Sequence, residues 1–130
     1  MTSGGTDAEK AGTVTTRPLT HQEHAVLARL LSVPVAGADQ LRAQAQAAQA
    51  TIRETVAAGL DLVVPTSAPL AALPDGPVRL TAEVYDPAGR YLGELLLWVK
   101  DGRLTSLEYA WVTDVAPTAL PAVEAIRVTA

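Results

Sequence analysis

A chain of 130 residues, 48% apolar and 18% charged, has the size and composition of one globular domain, and with no Phe, three Tyr and two Trp its core is expected to be aliphatic. Its ten Lys and Arg are scattered and its formal charge is −4, which excludes a binder that tracks nucleic-acid phosphates with clustered cations. The lack of Cys excludes disulfides, thiolate catalysis and Cys-ligated zinc. The lack of any run of about 18 apolar residues, or of an apolar core near the start, leads to the expectation of a cytoplasmic protein that neither crosses nor binds a membrane.

Residues 1–18 are Gly, Ser, Thr and Ala with isolated charges and no period, and are expected to form a disordered arm. Order is expected to begin at Thr20-His21-Gln22-Glu23, a capping box, followed by a helix with Val26, Leu27, Leu30 and Leu31 on one stripe and Pro34 as its stop. Gly37 can cap a second helix, with Asp39 at the positive end of its dipole and Leu41, Ala45 and Ala48 on its buried side. Residues 50–58 are ambiguous: Ile52 and Val56 continue the helical spacing, yet the β-branched Thr51, Ile52, Thr55 and Val56 also alternate as a strand. Residues 60–64 read as a short strand ended by Pro65, and Pro65, Pro69, Pro74 and Pro77 mark a long surface loop.

From Val78 the pattern is plain. Val78, Leu80, Ala82 and Val84 alternate with Arg79, Thr81, Glu83 and Tyr85, Asp86-Pro87-Ala88-Gly89 makes a turn, and Asp101-Gly102 is a strong hairpin signal. A three-stranded meander follows. A two-residue Asp101-Gly102 loop sets Lys100 opposite Arg103, and with it Trp98 opposite Thr105, Leu96 opposite Leu107, Glu94 opposite Tyr109 and Leu92 opposite Trp111. A bulge at Gly89 sets Val84 opposite Leu92 and Ala82 opposite Glu94. One face then holds Val78, Leu80, Ala82, Val84, Leu92, Leu96, Trp98, Leu107, Tyr109 and Trp111, and the other holds Leu95, Leu97, Val99, Leu104 and Val112 among polar neighbours.

The expected architecture is α+β: two N-terminal helices on the first of these faces of a mainly antiparallel, roughly five-stranded sheet over residues 19–116. Residues 117–130, with Pro117 and Pro121, read as an extended strap with Leu120, Val123 and Ile126 as docking points.

Residues 19–121 carry Leu30-Leu31, then Ala36-Gly37-Ala38 leading into Leu41-Arg42-Ala43-Gln44, and later Gly102-Arg103-Leu104-Thr105-Ser106-Leu107-Glu108. This pattern resembles a group of small actinobacterial proteins of uncharacterised activity. The resemblance implies a hairpin over residues 50–64 leading into the sheet. Where many members carry Cys-Gly-Cys before the Asp-Leu strand, this chain has Thr55-Val56-Ala57-Ala58-Gly59, so no thiol-dependent role is implied for it.

Chemistry-bearing constellations are sparse. His21 and His24 have a helical spacing that suits a metal, but two solvated histidines in a first turn are the expected reading, with no metal and no cofactor. Ser32 and Ser106 lie in no nucleophile-elbow context, and no glycine-rich phosphate loop is present, so no catalytic residue is assigned. Glu94 is the odd residue: the derived register turns its carboxylate toward the helices, where a bond to the Tyr109 hydroxyl, to Arg42 or to water would be needed.

The functional expectation is a non-catalytic protein-interaction module of immunity or accessory type. It would meet a partner protein or a second copy through Leu95, Leu97, Val99, Leu104 and Val112, unless the strap covers them. The alternative is a small-ligand-binding protein or enzyme with a pocket between helices and sheet near Glu94, Tyr109 and Trp111.

Overall fold

The computed structural model describes residues 15–52 and 58–130. Helix α1 (His21–Leu30) starts where its capping box places it: the Thr20 hydroxyl accepts from the Glu23 amide at 3.1 Å, and the Glu23 carboxylate accepts from the Thr20 amide at 2.8 Å. The same carboxylate accepts two bonds of 2.8 Å from the Arg17 guanidinium, which hold it below the usual carboxylate range. Helix α2 (Ala38–Ala47) follows Gly37, whose left-handed φ of 76° suits the close approach of Ala71 and Leu73; a β-carbon there would lie 3.3 Å from each. Arg42 of α2 donates through Nε to the Leu31 carbonyl at 2.9 Å and so closes the end of α1.

Among the described residues the sheet has eight strands, where roughly five were expected, and every pairing is antiparallel. They are β1 (Thr16–Pro18), β2 (Gln49–Thr51), β3 (Gly59–Val63), β4 (Gly76–Pro77), β5 (Thr81–Tyr85), β6 (Tyr91–Lys100), β7 (Arg103–Trp111) and β8 (Ile126–Thr129). The order is β1-β2-β3-β7-β6-β5-β8, with β4 also paired to β6. The β5–β6–β7 meander forms as its turns dictate, with Asp101 and Gly102 both at positive φ, 52° and 76°. The choice at residues 50–58 falls to the hairpin, since β2 pairs with β3; its Thr55, Val56 and Ala57 lie outside the described residues.

Both chain ends correct the sequence reading. Thr16 pairs with Thr51 and Pro18 with Gln49, so the chain is in the sheet before residue 19; the rest of the expected arm, residues 1–14, lies outside the described residues. The strap does not cross a sheet face along its whole length. After a single 3-10 turn at Val123–Ala125 it becomes β8, hydrogen-bonded to β5 in the plane of the sheet, with Ile126 in the core.

The meander also departs from the derived register, by one residue at each hairpin. Lys100 faces Arg103 and Val99 faces Leu104 as derived, but Trp98 then faces Ser106, because Thr105 is an extra residue that bulges from β7. At the other turn Tyr85 faces Tyr91 and Val84 faces Gly93, so Leu92 is extra on β6. Because side chains alternate with period two, each slip exchanges the faces of β6 relative to its neighbours. Leu95, Leu97, Val99 and Leu104, expected on the second face, are in the core with Ala82, Val84, Leu107 and Tyr109, in one cluster with Val26, Leu27, Leu30, Leu31 and Leu41 of the helical segment. Glu94, Leu96 and Trp98, expected inside, are half-buried on the outer face.

Candidate functional site

The exchange of faces separates Glu94 from Tyr109 and Trp111, with which it was expected to share a pocket. Tyr109 points into the core side, whereas Glu94 lies across the sheet, paired with Ala110 and Glu83. Trp111 is largely exposed and lines a recess of about 320 Å³ with Tyr109, Gly59 and Ser106. The expected interaction stripe is dissolved too: Leu97 is 1% exposed and Leu95, Val99 and Leu104 are similarly sealed, while Val112 stands alone at 62%.

A larger cavity, of about 550 Å³, lies where Tyr109 meets the C-terminal segment. Its floor is the end of β5 (Val84, Tyr85), Leu92 and Tyr109, its side is Asp86 and Pro87, and its roof is Pro117, Ala119, Pro121, Ala122, Glu124 and Ala125. The roof is built from sequence upward. Pro117 and Pro121 lack amide hydrogens and interrupt strand pairing, so the segment arches. It is tied down by Gln22, whose Nε2 donates to the Leu120 and Pro121 carbonyls at 3.2 and 3.3 Å, by Arg29, which donates to the Ile126 carbonyl at 3.1 Å, and by the Ala58 amide on the Pro117 carbonyl at 3.3 Å.

Tyr109 lines both this cavity and the recess beside Trp111. It is 6% exposed, and its hydroxyl makes no hydrogen bond to a described residue. Burial pushes the phenol's pKa up, so it stays protonated and able to donate. Space for its ring is left by Gly93 on the neighbouring strand: a β-carbon there would lie 3.0 Å from the ring's Cε1 and 2.4 Å from the Ala110 carbonyl oxygen. At the cavity side, Asp86 accepts from the Arg90 amide at 2.8 Å and from its Nε at 3.2 Å, and the backbone bond first, then the guanidinium, holds its carboxyl below the ordinary range. Tyr85 sits at the rim with Arg127 stacked 3.9 Å over its ring and Tyr91 edge-on at 5.6 Å; its hydroxyl donates to Glu83 at 3.2 Å.

Of the residues named from sequence for a pocket, Tyr109 lines this cavity and Glu94 and Trp111 do not. Tyr85, Asp86, Leu92 and Glu124 were missed, and the signals that could have found them are the prolines of the strap together with Gly93, a glycine inside an apolar strand. Among the described residues no three His, Cys, Asp or Glu converge, and no described helix is long and apolar enough to cross a membrane. Comparison with protein-family models, curated proteins and solved structures finds no match for this chain.

Proposed function

We propose that this chain is a small-ligand-binding protein whose site is the cavity between Tyr109 and the arching C-terminal segment. The observation that carries the reading is a mostly apolar space of about 550 Å³ lined by the nearly buried Tyr109, whose hydroxyl makes no hydrogen bond to a described residue. Cavities of about 300–1,000 Å³ with few polar groups are the usual form of small-molecule sites. The ionisable groups of this one are Tyr85, Asp86, Tyr109 and Glu124, set among Val84, Leu92 and prolines. Kinship with the actinobacterial group is part of the same proposal: Leu41 in the core, Arg42 on the end of α1 and the fully buried Gln44 give each fixed residue of Leu-Arg-x-Gln a structural task.

A second reading keeps the interaction module but moves its surface. With the helices packed over the core face, Leu96 and Trp98 remain half-buried on the outer face beside Glu83, Glu94 and Glu108, a set that suits a partner protein with a basic, partly apolar surface. Titration of 4-phenylbutanol into ¹⁵N-labelled protein separates the two. The expected shifts fall on Tyr85, Leu92, Tyr109 and residues 119–125, and Tyr109→Phe weakens binding about three- to tenfold, the worth of one hydrogen bond, without lowering the melting temperature. Shifts confined to the outer face around Leu96 and Trp98 would overturn the ligand reading.

A further inference from the structure

We infer that the ligand class of this cavity is a small amine, an apolar body carrying a protonated nitrogen. The inference rests on the cavity being a ligand site and adds its charge preference. The ionisable groups on the lining are Tyr85, Asp86, Tyr109 and Glu124, and no Lys, Arg or His is among the lining residues. Glu124 stands on the 3-10 turn at the cavity roof, exposed, with no ion-pair or hydrogen-bond partner among the described residues. Asp86 stays ionised, and the cation it already holds, Arg90, is 79% exposed on its side chain, an ion pair at the surface that competes weakly for the carboxylate. The Tyr109 ring supplies aromatic surface suited to a cation, as the Tyr85 ring does for Arg127 at 3.9 Å. Leu92, Val84 and the prolines accommodate the apolar body. An anionic ligand would meet two carboxylates, and the cations beside the lining, Arg90 and Arg127, are already held by Asp86 and by the Tyr85 ring.

Three probes with one body and three heads test this: 4-phenylbutylamine, 4-phenylbutanol and 4-phenylbutyrate, titrated at pH 7 by calorimetry or by amide shifts. The amine is expected to bind at least tenfold more tightly than the acid and several-fold more tightly than the alcohol. Raising the salt from about 20 mM to 500 mM is expected to shrink the amine's advantage, because the Debye length falls from about 20 Å to a few Å. In Glu124→Gln the amine's advantage over the alcohol falls below threefold. Equal affinity for all three heads, or preference for the acid, overturns the amine class and leaves a site for neutral or acidic ligands. No binding by any head at the Tyr109 cavity overturns the ligand-site reading itself.

Discussion

Gln44 is completely buried, and its amide makes three bonds: Nε2 donates to the Pro69 carbonyl at 2.7 Å and to the Gly102 carbonyl at 2.8 Å, and Oε1 accepts from the Leu104 amide at 2.9 Å. One side chain of α2 thereby fastens the proline-rich loop and the β6–β7 turn together. Gln44→Leu leaves the Leu104 amide unpaired in the core and takes the side-chain donor from the Pro69 carbonyl and from the Gly102 carbonyl, which keeps the Ala71 amide, and a loss of about 2 kcal/mol in urea unfolding is expected; an unchanged midpoint would contradict the clamp. In the sequence Gln44 reads as a polar residue beside Leu41 and Ala45, because the partners that make it a core residue lie 25 and 58 positions away. Glu23 was legible, since its capping partner Thr20 is three residues off; its second partner, Arg17, was assigned to the arm. The Arg17 bonds depress the folded carboxyl below its unfolded value, so this stabilisation is complete above about pH 4.3 and is lost as pH falls through the lower folded value. Glu23→Gln is therefore expected to melt lower at pH 7 and to converge on the wild type below about pH 3. Equal differences at both pH values would deny the linkage.

The meander shows how far element-level reading reaches. The Asp101-Gly102 turn, the pairs Lys100 with Arg103 and Val99 with Leu104, and the inward set of Ala82, Val84, Leu107 and Tyr109 are all as derived. What the reading lacked are two single-residue bulges, at Thr105 and Leu92, and nothing local in either residue announces them. Their effect is global: a bulge is chosen because it brings Leu95, Leu97, Val99, Leu104 and Leu107 to one side, where five large aliphatic side chains join the core. The apolar middle of β6 was the clue that the derived face assignment left Leu95, Leu97 and Val99 in need of cover. Leu97→Asp is accordingly expected to destabilise the monomer itself by about 4 kcal/mol or more, a buried carboxylate among aliphatic neighbours, seen as a collapse of the melting curve. A variant that melts like the wild type and loses only an association would restore the interface first expected at this stripe.

Across the whole molecule the chain closes on itself through contacts far apart in sequence. The described N-terminal segment supplies edge strand β1 and the C-terminal segment the other edge, β8, while α1 holds the C-terminal arch through Gln22 and Arg29, 98 and 97 residues distant from Leu120 and Ile126. Class and helix count were readable from local periodicity; the eight-strand order and the arch were not, because proline content signals a break in pairing without saying what the segment passes over. The same arch makes the cavity, so the position of the proposed ligand site was beyond the sequence although Tyr109 was not. Intermolecular NOEs between bound 4-phenylbutylamine and methyl-labelled protein test the central claim most directly. Contacts from the phenyl protons to the methyls of Val84, Leu92, Ala122 and Ala125 are predicted, and contacts to Leu96 on the outer face, with none to those four, would contradict it.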